Sequence, residues 1–217
     1  MKSSKKKQIC IVGSGGFAME TLCCFLDSMK IPISDHSKNF RFMIADNDPN
    51  EADVLGVPVI KQSTFDPTLY KTIVAIGDPR KRQQVVKELP KDTEYISIIH
   101  PSAVISKWVQ IGEGAIVTAG TILTCNITIG SHAQLNLHTT IGHGCKIGDY
   151  FTTAPATNIS GDCSVGDCVS MGTNSSIRQG LDICDNVTIG MGSVVVKSII
   201  DQGVYVGAPA KLLNRQV

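Results

Sequence analysis

The chain has 217 residues, 42% apolar and 18% charged, with a net charge of +1. That balance excludes a nucleic-acid binder, which needs a basic surplus gathered on one face. No apolar run reaches the ~20 residues that cross a bilayer, and the start lacks a signal peptide's apolar core and cleavage site, so the expectation is a cytoplasmic protein with no membrane partner.

Residues 1–7, with Lys2 and the run Lys5-Lys6-Lys7, read as a flexible solvated tail. Residues 8–98 have the texture of a small α/β domain. A buried strand is predicted over 8–12, followed by Gly13-Ser14-Gly15-Gly16 and then a helix over 17–29 with apolar residues at helical spacing. A second strand over 41–45 ends at Asp46-Asn47-Asp48-Pro49, and a third over 71–76 ends at Gly77-Asp78. A helix over 79–89 and a strand over 95–99 complete the set. Strands alternating with helices imply a parallel sheet with crossovers.

The pattern Gly13-x-Gly15-x-x-Ala18 sits between strand and helix, where a phosphate-binding turn belongs. The acidic residue that a nicotinamide dinucleotide would require about 20 residues further on is not cleanly present. Asp46, Asp48, Gly77 and Asp78 terminate neighbouring strands on the carboxyl edge, where open α/β sheets bind ligands. They read equally as tight-turn residues.

Residues 99–217 carry a period of six. From Ile105 to Val195, fifteen of the sixteen residues found by stepping six at a time are aliphatic or Met, and Thr153 is the exception. Gly often follows, as at Gly112, Gly130, Gly142, Gly148, Gly166, Gly172 and Gly190. Four residues past the aliphatic position, small residues recur: Ala115, Thr121, Ala133, Thr139, Cys145, Thr157, Cys163, Ser175 and Ser193. A hexapeptide is one short strand and one turn, and three make a triangular coil, so the run predicts a left-handed parallel β-helix of about five coils. The aliphatic residue points inward, the small residue fits beside a corner, and Gly is expected to relieve the turn dihedrals. Neither helical spacing nor an ordinary strand meander produces this period. The eight cysteines form no C-x-x-C pair, and reduced core thiols are expected.

A short Rossmann-like domain opening on Ile11-Val12-Gly13-Ser14-Gly15-Gly16, a strand ending in acidic residues, then Ala75-Ile76-Gly77-Asp78 and a hexapeptide β-helix together resemble the bacterial nucleotide-sugar acetyltransferases. These include bacillosamine and perosamine N-acetyltransferases and the sialic acid O-acetyltransferase group. The resemblance implies a homotrimer, a nucleotide-linked amino sugar on the N-terminal domain (Gly13, Ser14, Gly15, Gly16, Asp46, Asp48, Gly77 and Asp78), and acetyl-CoA as co-substrate along the β-helix, with no metal. It implies His143 as catalytic base, Asn136 lining the site, Gly161 offering its N–H to the acetyl carbonyl, and Gly207, Ala208, Pro209 and Lys211 bordering the coenzyme in a closing segment. The departures are Gly144, where several relatives carry a carboxylate, Thr152, where a second His is frequent, and Phe17, where the glycine turn often ends in His.

Chemistry gives His143 the same role: acyl transfer to an amine needs a proton removed, and a His near neutrality suits that. The alternative is a surface His in a turn. His138 and His143 also have the spacing of a zinc pair in some β-helix hydratases, but two coils before His138 stands Ser102, and zinc asks for three protein ligands. The expected function is acetyl-CoA-dependent N-acetylation of a nucleotide-linked amino sugar, a UDP- or dTDP-linked 4-amino-4,6-dideoxyhexose bound for a surface glycan such as lipopolysaccharide O-antigen. The alternatives are a sialic acid-type O-acetyltransferase and a non-catalytic nucleotide-sugar-binding scaffold.

Overall fold

A computed structural model describes residues 7–49 and 53–213; most of the expected N-terminal tail, and the last four residues of the closing segment, lie outside them. Strand β1 (Gln8–Val12) is apolar on both faces because it lies inside a parallel sheet of order β3-β2-β1-β4, formed with β2 (Phe40–Ile44), β3 (Val59–Lys61) and β4 (Tyr70–Val74). Helix α1 (Gly16–Met29) lays Ala18, Leu22 and Phe25 against Ile9, Ile11, Phe40 and Phe42. A short helix, α2 (His36–Asn39), leads into β2, and α3 (Pro79–Glu88) covers the other face, where Cys10, Val12, Met43 and Val74 pack. β3 was not expected: three half-buried residues are too few to show a period. The stretch 95–99, expected as one strand, divides. Tyr95 makes a single bridge to Thr72, and Ile98–Ile99 pairs with Ile116–Val117 of the following domain.

That domain is the left-handed β-helix. One wall has eight strands, the last antiparallel, and the others six and five. Its seven parallel strands, from Ile98–Ile99 to Gly203–Val206, enclose six coils rather than about five. The inward aliphatic row is buried from Val117 to Val195, with Ile105 and Ile111 of the first coil partly buried, and the small residues four positions on, from Ala115 to Ser193, are all at most 1% exposed. The corner explanation is corrected. Every sixth residue from Gly114 to Gly192 has a positive φ, but these are the third residues after the aliphatic position, among them His132, His138, Gly144, Ala156, Asp162 and Asn174. The recurrent Gly directly after the aliphatic residue has no such φ. It is required by close approach: a Cβ on Gly112 would stand 2.6 Å from Ser131 N, and one on Gly142 2.6 Å from Gly161 N. Stacked coils leave no room for a side chain there. All eight cysteines are free, and Cys10, Cys24, Cys145, Cys163 and Cys168 are buried.

The α/β domain sits on the wall that begins at Ile98. Ile98 and Ile116 point outward from the prism yet are buried, because they belong to the α/β core. Arg82 of α3 completes the seam. It is 0% exposed, and its guanidinium donates to Ile76 O (2.6 Å), Tyr150 O (2.7 Å), His132 O (2.9 Å) and Thr152 Oγ1 (2.7 Å). Burial pulls its pKa down to about 9, which leaves a cation at neutral pH.

Candidate active site

The expected site residues assemble in separate places. At the carboxyl edge of the sheet, Gly13 adopts φ 111° and donates to Met43 O at 2.8 Å. Gly15 is the N-cap of α1 and supplies no side-chain cap, whereas Asp78 caps α3 by accepting from Arg80 N and Lys81 N at 2.9 Å. The α1 N-terminus is thus the one of the two left for a ligand anion, and the space where Gly15 and Gly16 would carry a Cβ is open. Beside it lies a cavity of about 200 Å³ lined by Gly13, Ser14, Ala45, Asp48, Gln62 and Ile76. Asp46 is engaged elsewhere: hydrogen bonds from Ser63 hold its carboxyl below the usual range, with the Ser63 N–H at 3.0 Å.

A second cavity, about 220 Å³, lies between sheet edge and prism. Phe17, Gly77, Gln134, Asn136 and Thr152 line it. Asn136 is set by its neighbours: its N–H donates to Thr153 Oγ1 at 2.8 Å, and its own Oδ1 accepts from Leu137 N at 2.7 Å. This accounts for the single break in the aliphatic row, since buried Thr153 also bonds Thr139 Oγ1 at 2.7 Å. Gln134, 1% exposed, donates to Val74 O at 2.9 Å, and its Oε1 has no partner among the described residues. Thr152, at one of the departures noted above, donates to Gly77 O at 3.2 Å and ties the turn to the prism.

His143 stands at another corner, past the strand Thr140–Ile141, a wall's width from Asn136, or roughly 15–20 Å by strand rise. Its imidazole lies against Gly161: a Cβ on Gly161 would be 2.5 Å from Cε1 and 2.6 Å from Nε2. Ser160 N donates to Ile177 O at 3.0 Å and Asp162 N to His143 O at 2.7 Å, so the ladder passes over the Gly161 N–H between them. Asp162 Oδ1 is 3.4 Å from His143 Nδ1.

The other two histidines of this coil occupy its other corners. His138 stands at the corner beside Asn136. His132 is buried, stacked on Tyr150 at 5.3 Å and edge-on to Tyr95 at 4.7 Å, and burial holds its pKa down at about 4. Three corners of one triangle cannot converge on one ion within a chain. The closing segment folds back as Gly203–Val206 against Lys211–Leu212, with Gly207 N bonded to Ser193 Oγ at 3.0 Å and Ala210 packed on the core. Gly203, Gly77 and Asp78 border a groove of about 1030 Å³. Sequence reasoning missed Arg82, Gln134 and Asp162.

A Rossmann-like domain docked on a left-handed hexapeptide β-helix is the architecture of a β-helix acyltransferase, and His143 lies beside Gly161 at one corner of the prism. Residues 8–89 match the family model described as the PglD N-terminal domain. The chain is 31% identical to PerB from Caulobacter crescentus, solved in complex with CoA and GDP-perosamine, with a TM-score of 0.82 over 95% of this chain and 97% of that one. WeeI from Acinetobacter baumannii AYE is 28% identical with a TM-score of 0.87, covering 96% and 100%. A GDP-perosamine N-acetyltransferase from Escherichia coli O157:H7 is 30% identical over 140 residues, and the match spans 63% of this chain and 62% of that protein. The chain belongs to the bacterial hexapeptide-repeat nucleotide-sugar acetyltransferases. No helix among the described residues is long and apolar enough to cross a membrane.

Proposed function

We propose that this protein transfers the acetyl group of acetyl-CoA to the amine of a nucleotide-linked amino sugar, a 4-amino-4,6-dideoxyhexose destined for a surface glycan. The amine attacks the thioester carbonyl, His143 accepts the amine proton, the Gly161 N–H receives the oxyanion, and the C–S bond breaks as the amide forms. The proton then passes to the departing CoA thiolate. The observation that carries this reading is the His143 ring lying against Gly161, whose N–H the ladder leaves out.

The nucleotide sugar is assigned to the cavity at Gly13, Ser14 and Asp48, continuing to Gly77 and Asn136, with its diphosphate at the α1 N-terminus beside Gly15 and Gly16. The coenzyme is assigned to the prism beside Gly161, reaching the closing segment at Gly207 to Lys211. Since His143 lies a wall away from the sugar cavity of its own chain, the proposed site joins His143 of one copy to the sugar cavity of another. The wall between those corners supports a homotrimer. One of its outward rows is Val104, Ile122, Thr140, Asn158, Ser176 and Val194, uncharged and partly aliphatic, with the exposed Arg178 beside it, whereas the corresponding row of the next wall presents Lys146 and Asp182.

The test is His143→Ala with UDP-, dTDP- and GDP-linked 4-amino sugars, the last included because PerB was solved with a GDP sugar. The expected result is a kcat lower by on the order of 10²-fold or more with both ligand affinities unchanged. A rate at saturation within a few-fold of wild type refutes the base assignment. A hydroxylamine-labile ester product would point to the O-acetyltransferase reading, and failure to bind CoA in titration to the scaffold reading.

A further inference from the structure

The family resemblance leaves His143 without the carboxylate that several relatives carry at the following position, because Gly144 has no side chain. We infer that Asp162, one coil further along the prism, is the positioning residue for His143. This rests on the reading of His143 as the base.

Four observations carry it. Asp162 Oδ1 stands 3.4 Å from His143 Nδ1. The backbones are locked together, since Asp162 N donates to His143 O at 2.7 Å. The second carboxylate oxygen accepts from Gln179 Nε2 at 3.2 Å, from the coil beyond, which orients the group. Finally, a Cβ on Gly144 would fall on Asp162 Oδ1. A side chain at position 144 and this placement of the Asp162 carboxylate therefore exclude one another, and the bare Gly144 is what admits the carboxylate from the next coil.

The consequence is a defined tautomer. A carboxylate beside Nδ1 favours the proton there and leaves the lone pair on Nε2, the nearer of the two ring nitrogens to Gly161, 2.6 Å against 2.9 Å from where its Cβ would stand. As Nε2 takes the amine proton, the imidazolium gains a neighbouring anion. At 3.4 Å and without hydrogen-bond alignment the pair is an electrostatic contact, and catalytic pairs commonly tighten to a hydrogen bond only when substrate is bound.

The test is Asp162→Asn. Asn174 and Asn186 occupy the same left-handed corner position in this chain, with φ of 56° and 60°, so the backbone accepts the change. With His-selective ¹⁵N labelling, wild type should show His143 protonated on Nδ1 when neutral, and the variant should shift toward the Nε2–H form. In kinetics kcat should fall roughly 10- to 100-fold, less than at a buried triad because both side chains are half-exposed, with neither KM moving more than about twofold. In a His143→Ala background the same substitution should cost nothing further.

An unchanged tautomer, a kcat within twofold of wild type, or an undiminished effect in the His143→Ala background overturns the proposal. The tautomer is read without turnover, so the two readings fail separately. If His143→Ala leaves kcat intact, the base assignment falls, while the contact with Asp162 is still decided by the spectrum.

Discussion

Replacing Arg82 with Met keeps most of the side-chain volume and deletes the charge and its donors. Arg82 is wholly buried and makes no ion pair among the described residues; its partners there are backbone carbonyls and one hydroxyl drawn from both sides of the domain seam. Four short bonds, to Ile76 O, Tyr150 O, His132 O and Thr152 Oγ1, would be lost, and a buried acceptor left unmade costs about 1–3 kcal/mol. The thioether stem returns part of this by relieving the desolvation of a buried cation, so a net loss of about 3–5 kcal/mol is expected. At ~2–4 °C per kcal/mol for a chain of this size, the melting temperature should fall by roughly 6–20 °C. Hydrogen exchange should quicken first at 76–78 and 150–152, the backbone the guanidinium holds. Arg82→Lys should lose most of the same stability, because one ammonium cannot serve carbonyls spread across the seam. A melting temperature within about 2 °C of wild type, with exchange at those amides unchanged, would refute the claim that this cation joins the domains.

The remaining predictions address the cavities and the corners. His132 has a pKa of about 4, below its ordinary 6.5, through burial first and the Arg82 charge second; its folded form binds fewer protons, so its contribution is full above pH 6.5 and lost as pH falls toward 4. The loss should be about 3 kcal/mol, read as the pH dependence of urea midpoints, and His132→Phe should flatten that dependence; an unaltered slope would exclude His132 as its source. Asp48→Ala should weaken nucleotide-sugar binding in calorimetry without affecting CoA, whereas Asp46→Ala should act through the Ser63 tie and shift stability alone; equal loss of both ligands with Asp48→Ala would make Asp48 structural too. Gly161→Ala should displace the imidazole that lies 2.5 Å from the new methyl, lowering kcat by on the order of 10²-fold while the fold melts near wild type, and a full rate would separate the ring from the reaction.

What could be read in the sequence follows from which interactions are periodic. The prism was legible because one inward position and one small position recur in every hexapeptide, and burial at Ala115, Thr121 and Cys145 follows that pattern. The role of the recurrent Gly was misread, because letters alone do not distinguish a residue needing a positive φ from one needing an absent Cβ; Gly144 and Gly142, two positions apart, meet these separate needs. Arg82 was hidden in the run Pro79-Arg80-Lys81-Arg82, where three cations look alike, although Pro79, Arg82, Val86 and Leu89 share a helical stripe and only Arg82 of the three lies on it. Asp162 lies 18 residues beyond Gly144, directly above it in the prism, so the repeat contains the contact that a search for local motifs passes over. Gln134 and Thr152 matter only because the α/β domain covers their wall, which no property of the repeat announces.

The three walls of the prism have nearly the same inward residues, so differences of function have to come from the outward rows. One row begins with Ile98, Ile116 and Gln134 and is apolar or hydrogen-bonded to the α/β domain where that domain docks. It turns to Thr152, Ser170 and Thr188 only where it lines a cavity or groove. The second row carries no charge from Val104 to Val194, and in the proposed trimer it is the face that meets another copy. The third, with Lys146 and Asp182, stays compatible with water. Asn136 and His143 flank the wall that carries the uncharged row, one beside the sugar cavity and one beside Gly161. Packing that row against a second copy is what can bring one chain's His143 toward another chain's Asn136, a junction no single chain can make across its own wall. Charge on this row, for example Ile122→Lys together with Ser176→Lys, should therefore dissociate the assembly in sedimentation and abolish turnover together, while each chain keeps its CD spectrum. Dissociated copies that still turned over at the full rate would locate the whole site within one chain.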